Sequence, residues 1–123
     1  MRNVLLIIGP PGSGKTTYAQ TTGLTHLERE HYPTDQLYRQ AAQAAAAHDD
    51  ANVAIIRCCP THQEQHEWEQ LTNPTKVIVL NLEPNECARR IHQRHRPNWR
   101  GEVQAARQWH KQRAAMRATS RTW

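Results

Sequence analysis

The sequence has no long hydrophobic run. In 123 residues, no apolar stretch approaches the roughly 20 residues that a membrane-spanning helix needs. The apolar run near the start, residues 4–8, is too short for the core of a signal peptide, and a glycine-rich segment follows it where a cleavage site would be expected. We therefore expect a cytoplasmic protein with no membrane contact and no leader.

Cysteine is scarce as well. The chain has three cysteines, Cys58, Cys59 and Cys87, and none of them forms a C-x-x-C motif. An odd number without paired spacing is not the pattern of a disulfide-stabilised secreted domain. The pattern predicts reduced, mostly buried thiols, which agrees with a cytoplasmic location.

Acidic residues are nearly absent from the last third of the chain. Residues 89–121 carry ten lysines and arginines and a single acid, Glu102, whereas residues 1–88 carry six bases and ten acids. A basic segment suits phosphate-rich partners. These would be a nucleoside triphosphate, or a phosphorylated compound or nucleic acid that accepts a phosphate group. The alternative is a solvated helix face rich in arginine. The sequence does not indicate which oligomeric state the protein adopts.

Three of the five glycines lie in one short segment, residues 9–16, which we call the glycine loop. The segment GPPGSGKT is a complete G-x-x-x-x-G-K-[ST] match, the Walker A or P-loop motif, with a strand predicted before it and a helix after it. Its glycines let several backbone N–H groups point at one anion. We predict binding of ATP or another nucleoside triphosphate by Gly9, Pro10, Pro11, Gly12, Ser13, Gly14, Lys15, Thr16 and Thr17.

Two side chains of this loop have separate predicted roles. The ammonium group of Lys15 should reach the β- and γ-phosphates, and the hydroxyl of Thr16 should bind Mg²⁺, which prefers hard oxygen ligands. The sequence therefore predicts a nucleotide site that includes a magnesium ion.

Strand and helix patterns alternate along the chain. Short, β-branched apolar runs predict strands at residues 4–8, 53–58 and 76–82, with a weaker one at 24–28. Helices are predicted at 14–22, from Thr34 or Asp35 to about 48, at 61–71, from Pro84 to a stop at Pro97, and at 102–118. The last helix has five residues along one side, at spacings of three and four: Val103, Ala106, Trp109, Arg113 and Met116. We expect one α/β domain, residues 1–123, with a parallel sheet between two helical layers.

The segment HLEREHY, residues 26–32, lies where the second strand meets its following loop. It resembles a segment of P-loop polynucleotide 5′-kinases and their relatives, which include zeta-toxin-like kinases and small phage-encoded kinases. In that family the first aspartate after the arginine is the general base. By position, the resemblance assigns that role to Glu30. Glu28 is the second candidate because strand alternation points it to the same side.

Two further segments resemble adenylate-kinase-like enzymes. Residues 55–61 are similar to the third strand, which usually ends in an aspartate that assists Mg²⁺, whereas this chain has Arg57 there. Arg57 could contact a phosphate of the acceptor, or pair with Glu28 or Glu30. The segment CARRIHQRHR, residues 87–96, resembles a helix and lid whose arginines stabilise the transferring phosphoryl group. Arg90 and Arg94, four residues apart, are the expected contributors.

The resemblance implies a three-layer P-loop NTPase fold with about four parallel strands in the order 2-3-1-4. It also implies an ATP-dependent phosphotransferase that moves the γ-phosphate to a hydroxyl or phosphate acceptor, which would be a nucleic-acid 5′-end, a nucleotide or a small metabolite. The alternative is an NTP hydrolase, or a nucleotide-dependent module that binds nucleic acid or protein without kinase activity. A motor of the helicase type is not expected, because no apolar run ends in two acids.

Overall fold

The computed structural model describes the backbone of residues 1–120 and the side chains of residues 1–114. The side chain of Met116 and the basic residue Arg121 lie outside these bounds. Strands and helices follow one another in the order β1 (Asn3–Ile8), α1 (Lys15–Thr21), β2 (Thr25–Leu27), a 3₁₀ turn (Arg29–His31), α2 (Asp35–Ala46), β3 (Asn52–Arg57), α3 (His62–Thr72), β4 (Lys76–Val79), α4 (Pro84–Gln93) and α5 (Trp99–Ser120).

The four strands form one parallel sheet in the order β2-β3-β1-β4. Strand β1 lies between β3 and β4, and its last residue, Ile8, is paired with Arg57 on one side and Val79 on the other. Because the strands are parallel, all four end at the same edge of the sheet. The predicted strand number, direction and order are confirmed.

The helix starts follow the predicted capping residues. The hydroxyl of Thr34 accepts a hydrogen bond from Leu37 N at the start of α2, and that of Thr61 accepts one from Glu64 N at the start of α3. Pro84 is the first residue of α4, where a missing N–H costs nothing. Helix α4 ends at Gln93, earlier than the predicted stop at Pro97, because the chain turns at His95, which has φ 53°.

Helices cover both faces of the sheet. On one face, alternate residues of β1 and β3 pack against α2, α3 and α5, with Tyr38, Trp68 and Trp109 at the centre. On the opposite face, the other residues of the same strands pack against Ala19 and Tyr18 of α1. Strands buried on both faces explain why their sequences are almost continuously apolar.

Helix α5 fixes the segment that follows β3. Trp109 Nε1 donates a hydrogen bond to the carbonyl of Cys58 at 2.6 Å, and Arg113 Nη2 donates one to the carbonyl of Cys59 at 2.7 Å. Trp109 is buried, as its helical spacing predicts, and the Arg113 side chain is buried beside it. These bonds hold the end of β3 in place beside the glycine loop.

We expect Tyr38→Phe to destabilise the protein. The Tyr38 side chain is fully buried, and its hydroxyl lies 2.6 Å from the carbonyl oxygen of Ile56 and 2.9 Å from that of Leu27, so it joins α2 to the ends of two strands. Removing this donor should lower the free energy of unfolding by about 1–2 kcal/mol in urea denaturation. Tyr32→Phe is the matched control, because the Tyr32 hydroxyl has no hydrogen bond among the described residues; equal losses in both variants would contradict this role.

Candidate active site

The glycine loop needs its glycines for backbone shape and for space. Gly12 has φ 79° and Gly14 has φ 90°, in the left-handed region that side chains disfavour. A Cβ at Gly12 would lie 2.7 Å from the carbonyl oxygen of Cys87, which belongs to α4. The loop is therefore curled between β1 and α1 with α4 packed directly against it.

Several backbone N–H groups of this loop have no hydrogen-bond acceptor in the part of the chain that the structure describes. The N–H of Ser13 bonds to Pro10 O at 3.1 Å, but among the described residues Gly12, Gly14, Lys15 and Thr16 have no acceptor for their amide hydrogens. Closely spaced, unpaired amide groups carry partial positive charge and bind anions.

The ammonium group of Lys15 lies inside the curl of the loop. Its Nζ donates hydrogen bonds to Gly9 O at 2.7 Å and Pro10 O at 2.9 Å, and lies 3.7 Å from the Cys58 sulfur. Burial lowers the pKa of Lys15 from its ordinary value, and the neighbouring Cys58 offsets only part of that effect. A desolvated ammonium group of this kind is stabilised when an anion comes next to it.

Thr16 and Glu28 are hydrogen-bonded partners. The hydroxyl of Thr16, in the first turn of α1, donates to a carboxylate oxygen of Glu28. The second carboxylate oxygen of Glu28 lies 3.4 Å from His31 Nε2, and the Glu28 residue is buried. A hydroxyl and a carboxylate therefore lie side by side at the rim of the glycine loop.

Glu30 is in a different position from Glu28. It lies in the 3₁₀ turn after β2, its side chain is exposed, and it makes no hydrogen bond or ion pair with any residue that the structure describes. The two candidate carboxylates are thus distinct: Glu28 is buried and bonded to Thr16, whereas Glu30 is exposed and has no hydrogen-bond or ion-pair partner among the described residues.

The two predicted lid arginines lie near the loop but in different places. Arg94, just after the end of α4, lines the same cavity as Lys15 and Thr16. Arg90 lies beside Gly14, with Nη1 3.1 Å from where a Cβ would be, and its Nε is 3.5 Å from Glu86.

Arg57 has a partner that the sequence did not indicate. Its Nη1 lies 2.6 Å from Asp35 Oδ1, and its guanidinium stacks over the ring of Trp68 at 5.0 Å. Pairing with Glu28 or Glu30, the two carboxylates suggested from sequence, is not observed. Asp35 is the first residue of α2, and only the fold brings it to the end of β3.

One cavity of about 520 Å³ joins most of these groups. Of the predicted residues, it is lined by Pro11, Gly12, Gly14, Lys15, Thr16, Glu28, Glu30 and Arg94. Gly9, Pro10 and Ser13 are buried and do not line the cavity, and Thr17 is exposed outside it.

The cavity has further polar walls that sequence reasoning missed. They are Arg29, Glu64, Arg96 and Glu102. Arg96 and Glu102 form an ion pair of 3.2 Å across the turn between α4 and α5. In the sequence, Arg29 stands between Glu28 and Glu30, the two predicted carboxylates. This position is the one signal that could have indicated its place in the cavity.

The oxygen atoms at the rim of the glycine loop fit a magnesium site whose other ligands would come from a bound phosphate and water. Thr16 and Glu28 offer hard oxygen atoms next to each other. In the described part of the chain, no group of three or more His, Cys, Asp or Glu side chains is arranged to hold a metal by itself. Mg²⁺ commonly uses one or two protein oxygens together with phosphate oxygens and water, so the Thr16 hydroxyl, held by Glu28, fits this kind of site.

No protein-family model matches this chain, and a search of the curated proteins finds no significant match. In the described residues, no helix has the length and apolar character to cross a membrane. The candidate function therefore rests on the site itself.

We expect the Asp35 carboxylate to stabilise the fold at neutral pH and to lose this effect in acid. Partial burial would raise the pKa of Asp35, but hydrogen bonds from Arg39 and Arg57 outweigh it and hold the pKa below its ordinary value of 3.8. A lowered carboxyl pKa adds stability above the ordinary value, and that stability is lost as the pH falls through the lowered pKa. Asp35→Asn should lower the free energy of unfolding by about 1 kcal/mol at pH 7. The loss is modest because the carboxylate is partly exposed to solvent.

The measurement is urea denaturation of both proteins between pH 7 and pH 2.5. The difference in unfolding free energy should shrink below about pH 4. Asp49→Asn, which changes an exposed aspartate with no ion pair in the described residues, is the control. A difference for Asp35→Asn that is independent of pH would contradict the assignment.

Proposed function

We propose that the protein is an ATP-dependent phosphotransferase of the P-loop kinase type. In this proposal the glycine loop binds the triphosphate with Mg²⁺, and the adjoining part of the cavity holds the acceptor. The observation that carries the proposal is the convergence of unpaired loop amides, the Lys15 ammonium group and the Thr16 hydroxyl on one cavity with a free carboxylate, Glu30.

The loop provides the positive charge that a triphosphate needs. Among the described residues, four amide groups of the loop have no acceptor, and the buried Lys15 ammonium group is bonded to two carbonyl oxygens. Binding phosphate would satisfy the amide donors and would compensate the buried charge of Lys15. Lys15 would exchange its present bonds to the Gly9 and Pro10 carbonyls for phosphate oxygens.

Transfer requires an acceptor oxygen, a base and stabilisation of the moving phosphoryl group. The acceptor oxygen attacks the γ-phosphorus, the bond from that phosphorus to the bridging oxygen breaks, and ADP leaves with the bond electrons. A hydroxyl acceptor would lose its proton to Glu30, an exposed carboxylate of the cavity that no described residue binds. Lys15 and Arg94 line the same cavity and would stabilise the charge on the transferring oxygens.

Glu28 has a different role in this proposal. Bound Mg²⁺ would offset the negative charge of the phosphates, with the Thr16 hydroxyl as its protein ligand. The Glu28 carboxylate, hydrogen-bonded to Thr16, would orient that hydroxyl and supply the acidic group that is missing at position 57. Of these two carboxylates, Glu28 would thus orient the metal ligand, and Glu30 would accept the proton.

The second candidate function is NTP hydrolysis, or nucleotide-dependent binding of nucleic acid or protein. The replacement of an acid by Arg57 at the end of β3, already engaged with Asp35, favours this reading. The exposed side chains of Arg100, Arg107 and Lys111 on α5 offer a basic surface for such a partner, or for a nucleic-acid acceptor of the kinase. Transfer is preferred because Glu30 and Arg94 lie in the cavity next to the loop.

Lys15→Ala should abolish nucleotide binding. Ligand at 100 times its Kd stabilises a protein by about 2.7 kcal/mol, which corresponds to roughly 10 °C in Tm for a domain of this size. We expect this rise for the wild type with Mg²⁺-ATP in a thermal-shift assay and less than about 2 °C for Lys15→Ala. Lys76→Ala, at an exposed strand lysine, should keep the full rise; a full rise for Lys15→Ala would contradict the proposed site.

Glu30→Gln should abolish transfer while ATP still binds. Loss of a general base typically costs about 10²- to 10⁴-fold in rate. The measurement is transfer of labelled γ-phosphate from ATP to a panel of acceptors, with free-phosphate release followed in parallel. Free-phosphate release with no transfer to any acceptor in the wild type would favour the hydrolase reading.

Glu28→Gln is the companion variant for this experiment. It should raise the Mg²⁺ concentration needed for half-maximal activity, whereas Glu30→Gln should leave that concentration unchanged. Normal transfer by Glu30→Gln, or an equal metal requirement in both variants, would contradict the division of roles.

A further inference from the structure

The three cysteines of the chain have different surroundings. Cys59 and Cys87 are fully buried. Burial raises the pKa of the Cys59 thiol to about 12 and raises the pKa of Cys87 above its ordinary value. Cys58 is only partly buried, and it lines the cavity beside the glycine loop. Because buried thiols are inert, Cys58 is the thiol that a dissolved reagent can reach.

The Cys58 thiol lies next to an ammonium group. Its sulfur is 3.7 Å from Lys15 Nζ, which also donates hydrogen bonds to the carbonyl oxygens of Gly9 and Pro10. Reactive cysteines are found in electropositive, partly exposed surroundings of this kind. Cys58 and Lys15 therefore form a thiol–ammonium pair in the wall of the cavity.

The backbone holds this sulfur against the glycine loop. Arg57 is paired with Ile8 in the register of β3 and β1, so Cys58 follows level with the start of the loop. The Cys58 carbonyl accepts the hydrogen bond from Trp109 at 2.6 Å. The next residue, Cys59, has φ 42°, in the left-handed region that side chains disfavour. Strained backbone of this kind is typical of functional sites.

A second feature, independent of the cysteine, indicates that an anion binds here. Among the described residues, the N–H groups of Gly12, Gly14, Lys15 and Thr16 have no acceptor, and such groups bind anions. An oxygen atom added to the Cys58 sulfur would be a hydrogen-bond acceptor next to the Lys15 ammonium group. It would therefore compete with a phosphate for Lys15.

We propose that Cys58 is a redox modification site, at which oxidation by a peroxide to a sulfenic acid blocks nucleotide binding by the glycine loop. This inference rests on the proposed function, because it takes the loop to be the triphosphate site. It adds a means by which the same site is regulated.

The chemistry needs only a peroxide and, for reversal, a small thiol. The Cys58 sulfur attacks one peroxide oxygen, the O–O bond breaks, and the other oxygen leaves as water with the thiol proton. The sulfur loses two electrons and the peroxide gains them. One small thiol then displaces water from the sulfenic acid to form a mixed disulfide. A second small thiol releases Cys58 as a thiol and leaves the disulfide of the small thiol.

The first measurement locates the oxidised thiol. Wild-type protein is treated with hydrogen peroxide, the sulfenic acid is trapped with dimedone, and the labelled residues are identified by peptide mass spectrometry. Cys58 should carry about 10-fold more label than Cys59 or Cys87, because only Cys58 is accessible. Saturating Mg²⁺-ADP should lower the labelling of Cys58 about 5-fold, since bound phosphate would cover Lys15 and the sulfur beside it.

The second measurement is titration calorimetry with Mg²⁺-ADP before and after peroxide. The Kd of the wild type should rise about 10-fold, as expected when one charge-assisted hydrogen bond to phosphate is lost, and dithiothreitol should restore it. In Cys58→Ser, peroxide should leave the Kd within about 2-fold of that variant's own untreated value. The matched control is Cys87→Ser, which changes a buried thiol of α4 and should keep the wild-type response to peroxide.

Three results would overturn the inference: equal labelling of all three cysteines, an unchanged Kd in protein whose Cys58 is oxidised, or the same response to peroxide in Cys58→Ser as in the wild type. The labelling and its protection by Mg²⁺-ADP need no variant, so they decide the matter if Cys58→Ser does not fold. Failure of untreated protein to bind Mg²⁺-ADP would contradict the proposed nucleotide site as well, whereas loss of the peroxide effect alone would leave that site intact.

Discussion

The candidate site depends on the parallel pairing of β1 with β3 and β4. This pairing brings the end of β1, and with it the glycine loop, next to Arg57 and Cys58 on one side and Leu80 on the other. Strand β2, paired with β3, then delivers Glu28, Arg29 and Glu30 to the same edge. A different strand order would leave the same side chains on separate parts of the surface, so the sheet order assembles the candidate site.

Helices on both sides keep this edge in a fixed shape. Helix α4 packs against Gly12, and helix α5 donates hydrogen bonds from Trp109 and Arg113 to the carbonyls of Cys58 and Cys59. The basic last third of the chain therefore has a buried side and an exposed side. Its buried side anchors the segment next to Lys15, while the side chains of Arg100, Arg107 and Lys111 face solvent.

Much of the fold could be predicted from local sequence, but the pairing of charges could not. Strand composition, the caps Thr34 and Thr61, and the helical spacing of Trp109 act over a few residues, and the structure confirms these predictions. The contact of Arg57 with Asp35 joins the end of β3 to the start of α2. Such a contact depends on how the strands pair, and a short sequence pattern does not indicate that pairing.

The distinction between Glu28 and Glu30 has the same origin. Strand alternation placed both on one side, but the 3₁₀ turn that begins at Arg29 separates them, leaving one buried against Thr16 and the other exposed. The most direct test of the account is a crystal structure with Mg²⁺ and a non-hydrolysable ATP analogue. We predict that Lys15 Nζ leaves the Gly9 and Pro10 carbonyls for the phosphates, with Mg²⁺ at the Thr16 hydroxyl. Analogue bound outside the glycine loop, with the bonds of Lys15 unchanged, would contradict the account.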